Sequence, residues 1–147
     1  MIALACDHGG FELMKKVKEY LDSIDLEYKD FGTYSTESCD YPTFAVPAAK
    51  AVAQGMCAKG IFICTTGIGI SITANKIPGI RAAVCTNCYM AEMTRKHNDA
   101  NVLALGSHVV DDDLAIKIVN TFLSTDFSGE EKHKRRIKML SELDKGF

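Results

Sequence analysis

The residue types best suited to chemistry lie together in Cys64-Thr65-Thr66-Gly67-Ile68-Gly69-Ile70-Ser71. Cys64 ends a short apolar, β-branched run, residues 60–64, of the kind that forms a buried strand. Gly67 and Gly69 let the backbone turn tightly, and residues 68–76 suit the helix that follows. N–H groups at a helix N-terminus point at whatever lies above the cysteine and favour negative charge there. The same environment favours a thiolate, so Cys64 is a candidate base or nucleophile near neutral pH. The loop fits three roles: a phosphate cradle, an oxyanion hole beside a reactive cysteine, or a plain strand-to-helix turn. A cysteine-phosphatase loop is excluded, because Ile70 stands where it needs arginine. A dinucleotide fingerprint is excluded too, because Ile72 replaces its third glycine.

Four other stretches carry candidate groups. Asp7-His8-Gly9-Gly10 follows an apolar strand, where Asp7 either caps a helix or joins a site, and His8 lies on the surface or beside a ligand. His97-Asn98-Asp99 follows a helical stretch, so His97 is either a helix end or an acid/base beside a substrate oxygen. Lys132, His133, Lys134, Arg135, Arg136 and Lys138 form a basic run, which reads as a solvated helix face or an anion site. Lys132 and Arg136 are four apart and share one helical face, which suits a phosphate group. Cys85-Thr86-Asn87-Cys88 spells C-x-x-C, a redox or half-zinc pattern, but no second cysteine pair accompanies it. Two ordinary thiols are the plainer reading.

These groups need a scaffold, and 147 residues with 47% hydrophobic content suit one domain with a full core. A net charge of −2 argues against a surface built for nucleic acid. No apolar run approaches a membrane span. The opening Met1 to Asp7 lacks a basic start and reaches an acid at once, so no secretory signal is expected and the six cysteines are expected to stay reduced in the cytoplasm. Strands are expected at residues 2–6, 26–31, 60–64, 81–85 and 102–106. Helices are expected at 11–24, 43–54, 68–76, 87–96, 111–123 and 129–144. Pro47 suits a helix interior poorly, so the second helix is expected to begin late. Alternating strands and helices imply a parallel sheet covered on both faces. The common order two-one-three-four-five makes the first and third strands neighbours at the switch point. Asp7, His8 and the Cys64 loop then face one crevice.

Taken in order, several motifs resemble type B ribose-5-phosphate isomerases over nearly the whole chain. They are Asp7-His8-Gly9-Gly10, Asp30-Phe31-Gly32, Asp40-Tyr41-Pro42, Ile63-Cys64 with Thr66 to Ser71, Ala74-Asn75-Lys76 with Gly79-Ile80-Arg81, and His97-Asn98-Asp99-Ala100-Asn101-Val102. That family also includes allose-6-phosphate isomerases and galactose-6-phosphate isomerase subunits. The resemblance implies a Rossmann-like three-layer α/β/α sandwich with a five-stranded parallel sheet. It implies that Cys64 removes the proton beside the carbonyl and that the Thr65 to Gly69 backbone, including Thr66, Gly67 and Ile68, holds the enediolate oxygen. It implies that His97 opens the sugar ring, that Asp7 and Thr66 handle hydroxyl protons, and that His8 and the final helix, through Lys132 and Arg136, hold phosphate. Tyr41, Ser71, Asn98 and His108 are further implied contacts.

The resemblance implies no metal or organic cofactor. The partner is a sugar phosphate, and a homodimer or tetramer shares its sites, with His97 and Asn98 supplied by the second subunit. The sequence departs from the family's usual pattern at Thr65, which replaces a glycine, and at His108 and Lys132, which replace arginines. Glu130 and Glu131 alter the run before His133. Three alternatives accompany this reading: a six-carbon sugar phosphate, a thiol redox protein using Cys85 and Cys88, and a noncatalytic phosphosugar sensor.

Overall fold

Strand β1 (Ile2–Cys6) is Ile-Ala-Leu-Ala-Cys and is buried along its whole length, as a central parallel strand must be. The computed structural model describes residues 1–146. After β1 come α1 (Phe11–Ser23), β2 (Tyr28–Asp30), α2 (Tyr41–Ala53), β3 (Lys59–Cys64) and α3 (Ile68–Asn75). They are followed by β4 (Ala82–Val84), α4 (Cys88–Asn98), β5 (Val102–Gly106), α5 (Asp112–Ser124) and α6 (Glu131–Leu143).

All neighbouring strands pair in parallel, in the order β2-β1-β3-β5-β4. The expected order had put the fourth strand beside β3, and the structure puts β5 there instead. The physical reason lies in the two strands. Val102 to Gly106 is buried at every residue and needs neighbours on both edges. Ala82 to Val84 is short and only half-buried, which suits an edge. The switch point between β1 and β3 survives the correction. What changes is the loop beside Cys64: it is the one after β5, not the one after β4.

The side chains of β1, β3 and β5 alternate between two faces. Leu4, Ile61, Ile63, Leu103 and Leu105 pack with Met14, Val17 and Leu21 of α1, Ala91 of α4 and Ile118 and Phe122 of α5. Ala3, Ala5, Phe62, Cys64 and Ala104 pack with the alanines of α2 and with Ile70 and Ala74 of α3. The result is the three-layer α/β/α sandwich. Its small residues on the second face let α2 and α3 lie close to the sheet, and truncating a buried anchor such as Phe62 would cost about 3–5 kcal/mol.

Helix boundaries shift from expectation by one or two residues, and those of α2 and α4 bear on the site. Helix α2 begins at Tyr41, with Pro42 in its first turn where a missing N–H is tolerated, and it runs through Pro47. An interior proline costs about 3 kcal/mol. Burial of Ala45, Ala48, Ala49, Ala51 and Val52 offsets it. Helix α4 continues to Asn98, so His97 and Asn98 belong to its last turn. It stops at Asp99, whose φ is 44°. Buried Arg95 holds that stop, donating to the Asp99 carboxylate at 2.8 Å and the Ala100 carbonyl at 2.7 Å.

Candidate active site

Cys64 ends β3 with its side chain almost fully buried, and the Gly67 N–H donates to its sulfur at 3.2 Å. Gly67 has φ 80° and sits against the Leu105 backbone, so both the turn and the close approach require glycine. Helix α3 starts immediately after it. The N–H groups of its first turn have no partner within the helix. The Ile68 N–H is met by the Thr66 hydroxyl at 3.2 Å. Ser71 is buried and closes the first turn with its N–H on the Gly67 carbonyl.

The β1 loop is fastened to this cradle. Asp7 is buried, its N–H donates to the Ile63 carbonyl, and its Oδ1 accepts from the N–H groups of Gly9 and Gly10 at 2.9 and 3.1 Å. That leaves its second carboxylate oxygen for other work. The Thr65 hydroxyl lies directly over Gly9, where it fills the gap between the two loops. His8 is half-buried, and its Nδ1 accepts from the Cys39 N–H at 3.2 Å, so the neutral ring carries its proton on Nε2. The Tyr41 ring lies against Gly69 so closely that a Cβ there would sit 2.7 Å from it.

The corrected strand order supplies the third wall. The Ser107 N–H donates to the Cys64 carbonyl and the His108 N–H to the Thr65 carbonyl, both at 3.0 Å. The Ser107 hydroxyl donates to the Gly9 carbonyl at 2.6 Å, which links all three loops. His108 is exposed above them. Sequence reading missed Ser107, because its role depends on β5 being the neighbour of β3.

The other candidates lie elsewhere. Helix α4 runs back from the end of β4 to the start of β5, so His97 and Asn98 sit by Val102, at the opposite end of the sheet from Cys64. Five strand residues at about 3.3 Å each separate the two ends by roughly 15 Å. His97 and Asn98 are both exposed there. Lys132 and Arg136 are exposed on α6, whose first turn packs beside His97. One chain therefore carries two groups of residues: Asp7, His8, Tyr41, Thr65 to Gly69, Ser71 and His108 at the carboxyl ends of the strands, and His97, Asn98, Lys132 and Arg136 at the other end.

Two further features lie apart from this loop. A cavity of about 390 Å³ lies beside Asn98, between Arg81, Thr94, Ser141 and Asp144. Its polar groups are already engaged, since Arg81 holds the carbonyls of Asn98 and Asp99. Cys85 and Cys88 are free thiols, and burial pushes Cys85 up to about 11. A thiol so reluctant to ionise is a poor exchange nucleophile, which speaks against the dithiol reading.

A thiol and an anion cradle at the switch point of an open parallel sheet define an α/β enzyme acting on a small anionic substrate. Residues 2–140 match the ribose/galactose isomerase family, and the chain belongs to it. A structure of Clostridium thermocellum ribose-5-phosphate isomerase B is 52% identical with a TM-score of 0.96, covering 98% of this chain and 97% of that one. Ribose-5-phosphate isomerase B of Escherichia coli is 46% identical over 143 residues, 97% of this chain and 95% of that protein. D-erythrulose-4-phosphate isomerase of Pectobacterium atrosepticum is 39% identical over 129 residues, 87% of this chain and 85% of that protein. The chain is a sugar-phosphate isomerase of the aldose–ketose type.

Proposed function

We propose that the chain interconverts ribose 5-phosphate and ribulose 5-phosphate through an enediolate, in sites shared between two copies of the chain. The observation that carries this reading is the Gly67 N–H on the Cys64 sulfur, at the mouth of a helix N-terminus. That N–H fixes the sulfur at the loop's mouth, and the Cys64 sulfur takes the proton from C2 of the open aldose. Charge then develops on the C1 oxygen, where the loop N–H groups await it. Donors fixed in advance toward developing charge are usually the largest catalytic term. The Cys64 thiol returns the proton to C1, while the free Asp7 oxygen and the Thr66 hydroxyl carry the hydroxyl proton between O2 and O1.

His97 and Asn98 come from the second copy, because their own Cys64 loop lies at the far end of the sheet. His97 opens the furanose ring. Lys132 and Arg136 arrive with it and meet the phosphate opposite His8 and His108. Among the described residues no helix is long and apolar enough to cross a membrane. The six free cysteines fit a reducing compartment such as the cytoplasm.

A six-carbon sugar phosphate is the second reading, favoured by the galactose in the family's description. The Thr65 side chain over Gly9 fills part of the crevice and favours the shorter sugar. The test is solvent deuterium entering C1 of ribulose 5-phosphate. Cys64→Ala is expected to slow that exchange by roughly a hundredfold to ten-thousandfold. Exchange at the wild-type rate would remove Cys64 as the base.

A further inference from the structure

His133 is the only buried residue of α6, 5% exposed between exposed Lys132 and Lys134. Its ring faces that of His97, with centroids 4.5 Å apart and planes tilted by 36°. It does not sit there loosely. The Ser128 hydroxyl lies 2.6 Å from His133 Nδ1. That hydroxyl oxygen also accepts from the Glu130 N–H at 3.2 Å, which ties Ser128 to the start of α6. The Ser128 N–H in turn donates to the Lys96 carbonyl at 3.2 Å, in the same last turn of α4 that carries His97. Phe127 covers a further side, its ring centroid 6.5 Å from that of His133.

We propose that His133 is the positioning residue for His97: its latched ring holds the exposed His97 imidazole in the one orientation that opens a cyclic sugar. A free imidazole at a helix end samples several rotamers, and ordering it during the reaction costs rate. Here the neighbouring ring orders it beforehand. Burial holds His133 below the ordinary histidine range, His97, Lys132 and Arg136 act in the same direction, and Glu130 opposes them.

This inference depends on the proposed ring-opening role of His97, and the substrates themselves separate the two. Ribose 5-phosphate is a ring closed through its 4-hydroxyl. In ribulose 5-phosphate the oxygen that would close a five-membered ring carries the phosphate, so the ketose is open-chain. Turnover of ribose 5-phosphate needs ring opening, and deuterium exchange at C1 of ribulose 5-phosphate does not. The readout is the ratio of these two rates, in which a general loss of fold or binding cancels. In His133→Ala the ratio is expected to fall roughly tenfold or more, as misplacement of a catalytic group does. Ser128→Ala frees the ring without emptying its place, and a smaller fall is expected. That variant carries the test if His133→Ala does not fold. His97→Ala should lower the ratio most. An unchanged ratio in His97→Ala overturns the reading of His97 and this proposal with it. A fall in His97→Ala with an unchanged ratio in the His133 and Ser128 variants overturns only the positioning role.

Discussion

At the mouth of the crevice, two adjacent glycines answer to different constraints. A Cβ on Gly10 would press on the backbone of Ile63, lying 2.7 Å from its carbonyl carbon. That backbone is held in β3 between β1 and β5 and has nowhere to go. A Cβ on Gly9 would meet the Thr65 hydroxyl, which turns away by changing rotamer. Gly10→Ala is therefore expected to destabilise the protein by about 1–3 kcal/mol, as overpacking does, and Gly9→Ala by less. Thr65→Gly should remove much of the Gly9→Ala penalty and none of the Gly10→Ala penalty. Urea unfolding of the singles and doubles reads this directly. Equal losses at the two glycines, or no relief from Thr65→Gly, would contradict the packing described here.

At the scale of one element, α6 shows how a basic run divides. Lys132 Nζ lies 3.6 Å from Glu130, and Lys134 lies 3.5 Å from Glu131. Arg136 has no ion pair among the described residues, and a planar guanidinium can grip a phosphate through two bonds where a lysine offers a point charge. Arg136→Ala should weaken binding of a phosphosugar analogue by about tenfold or more, the cost of charge-assisted hydrogen bonds, and Lys132→Ala by less. Calorimetric titration gives both values. An Arg136→Ala protein that binds like wild type would leave the phosphate to His8, His108 and the loops. The inward face of the helix is a different matter. His133 and half-buried Ile137 are one turn apart, so the helical period of 133 and 137 was a readable sign of burial inside the charged run.

At the scale of the molecule, the two groups of site residues lie at opposite ends of one sheet, and no side chain bridges such a span. In the proposed dimer a second copy sets its far end against the first copy's near end, and a two-fold axis does so twice. Cys64→Ala and His97→Ala are each expected to lose turnover of ribose 5-phosphate. Mixed and allowed to exchange, they should recover part of it, because one site of each hybrid dimer keeps both groups. If hybrids form and stay inactive, the site is contained in one chain and the function proposed for His97 falls.

Much of this was legible in the sequence, because much of it is local. Short apolar runs, helical stretches and glycine turns announced every element, and the Cys64 loop stood out by composition alone. The crevice between β1 and β3 followed from the alternation of strands and helices, since a parallel sheet leaves few topologies. The order of β4 and β5 was not legible. Both read as short apolar runs, and only packing decides which is enclosed on both edges and which is left at the margin. That decision brought Ser107 and His108 to the Cys64 loop. The end of α4 was likewise settled by packing: Arg95 is buried with its Nε donating to the Thr125 carbonyl, and from there it holds Asp99, which carries His97 and Asn98 into the helix. The stack of His97 on His133 joins residues far apart in the chain through the docking of α6 on α4. No local pattern encodes such a contact, because its energy comes from surfaces that meet only once the fold has closed.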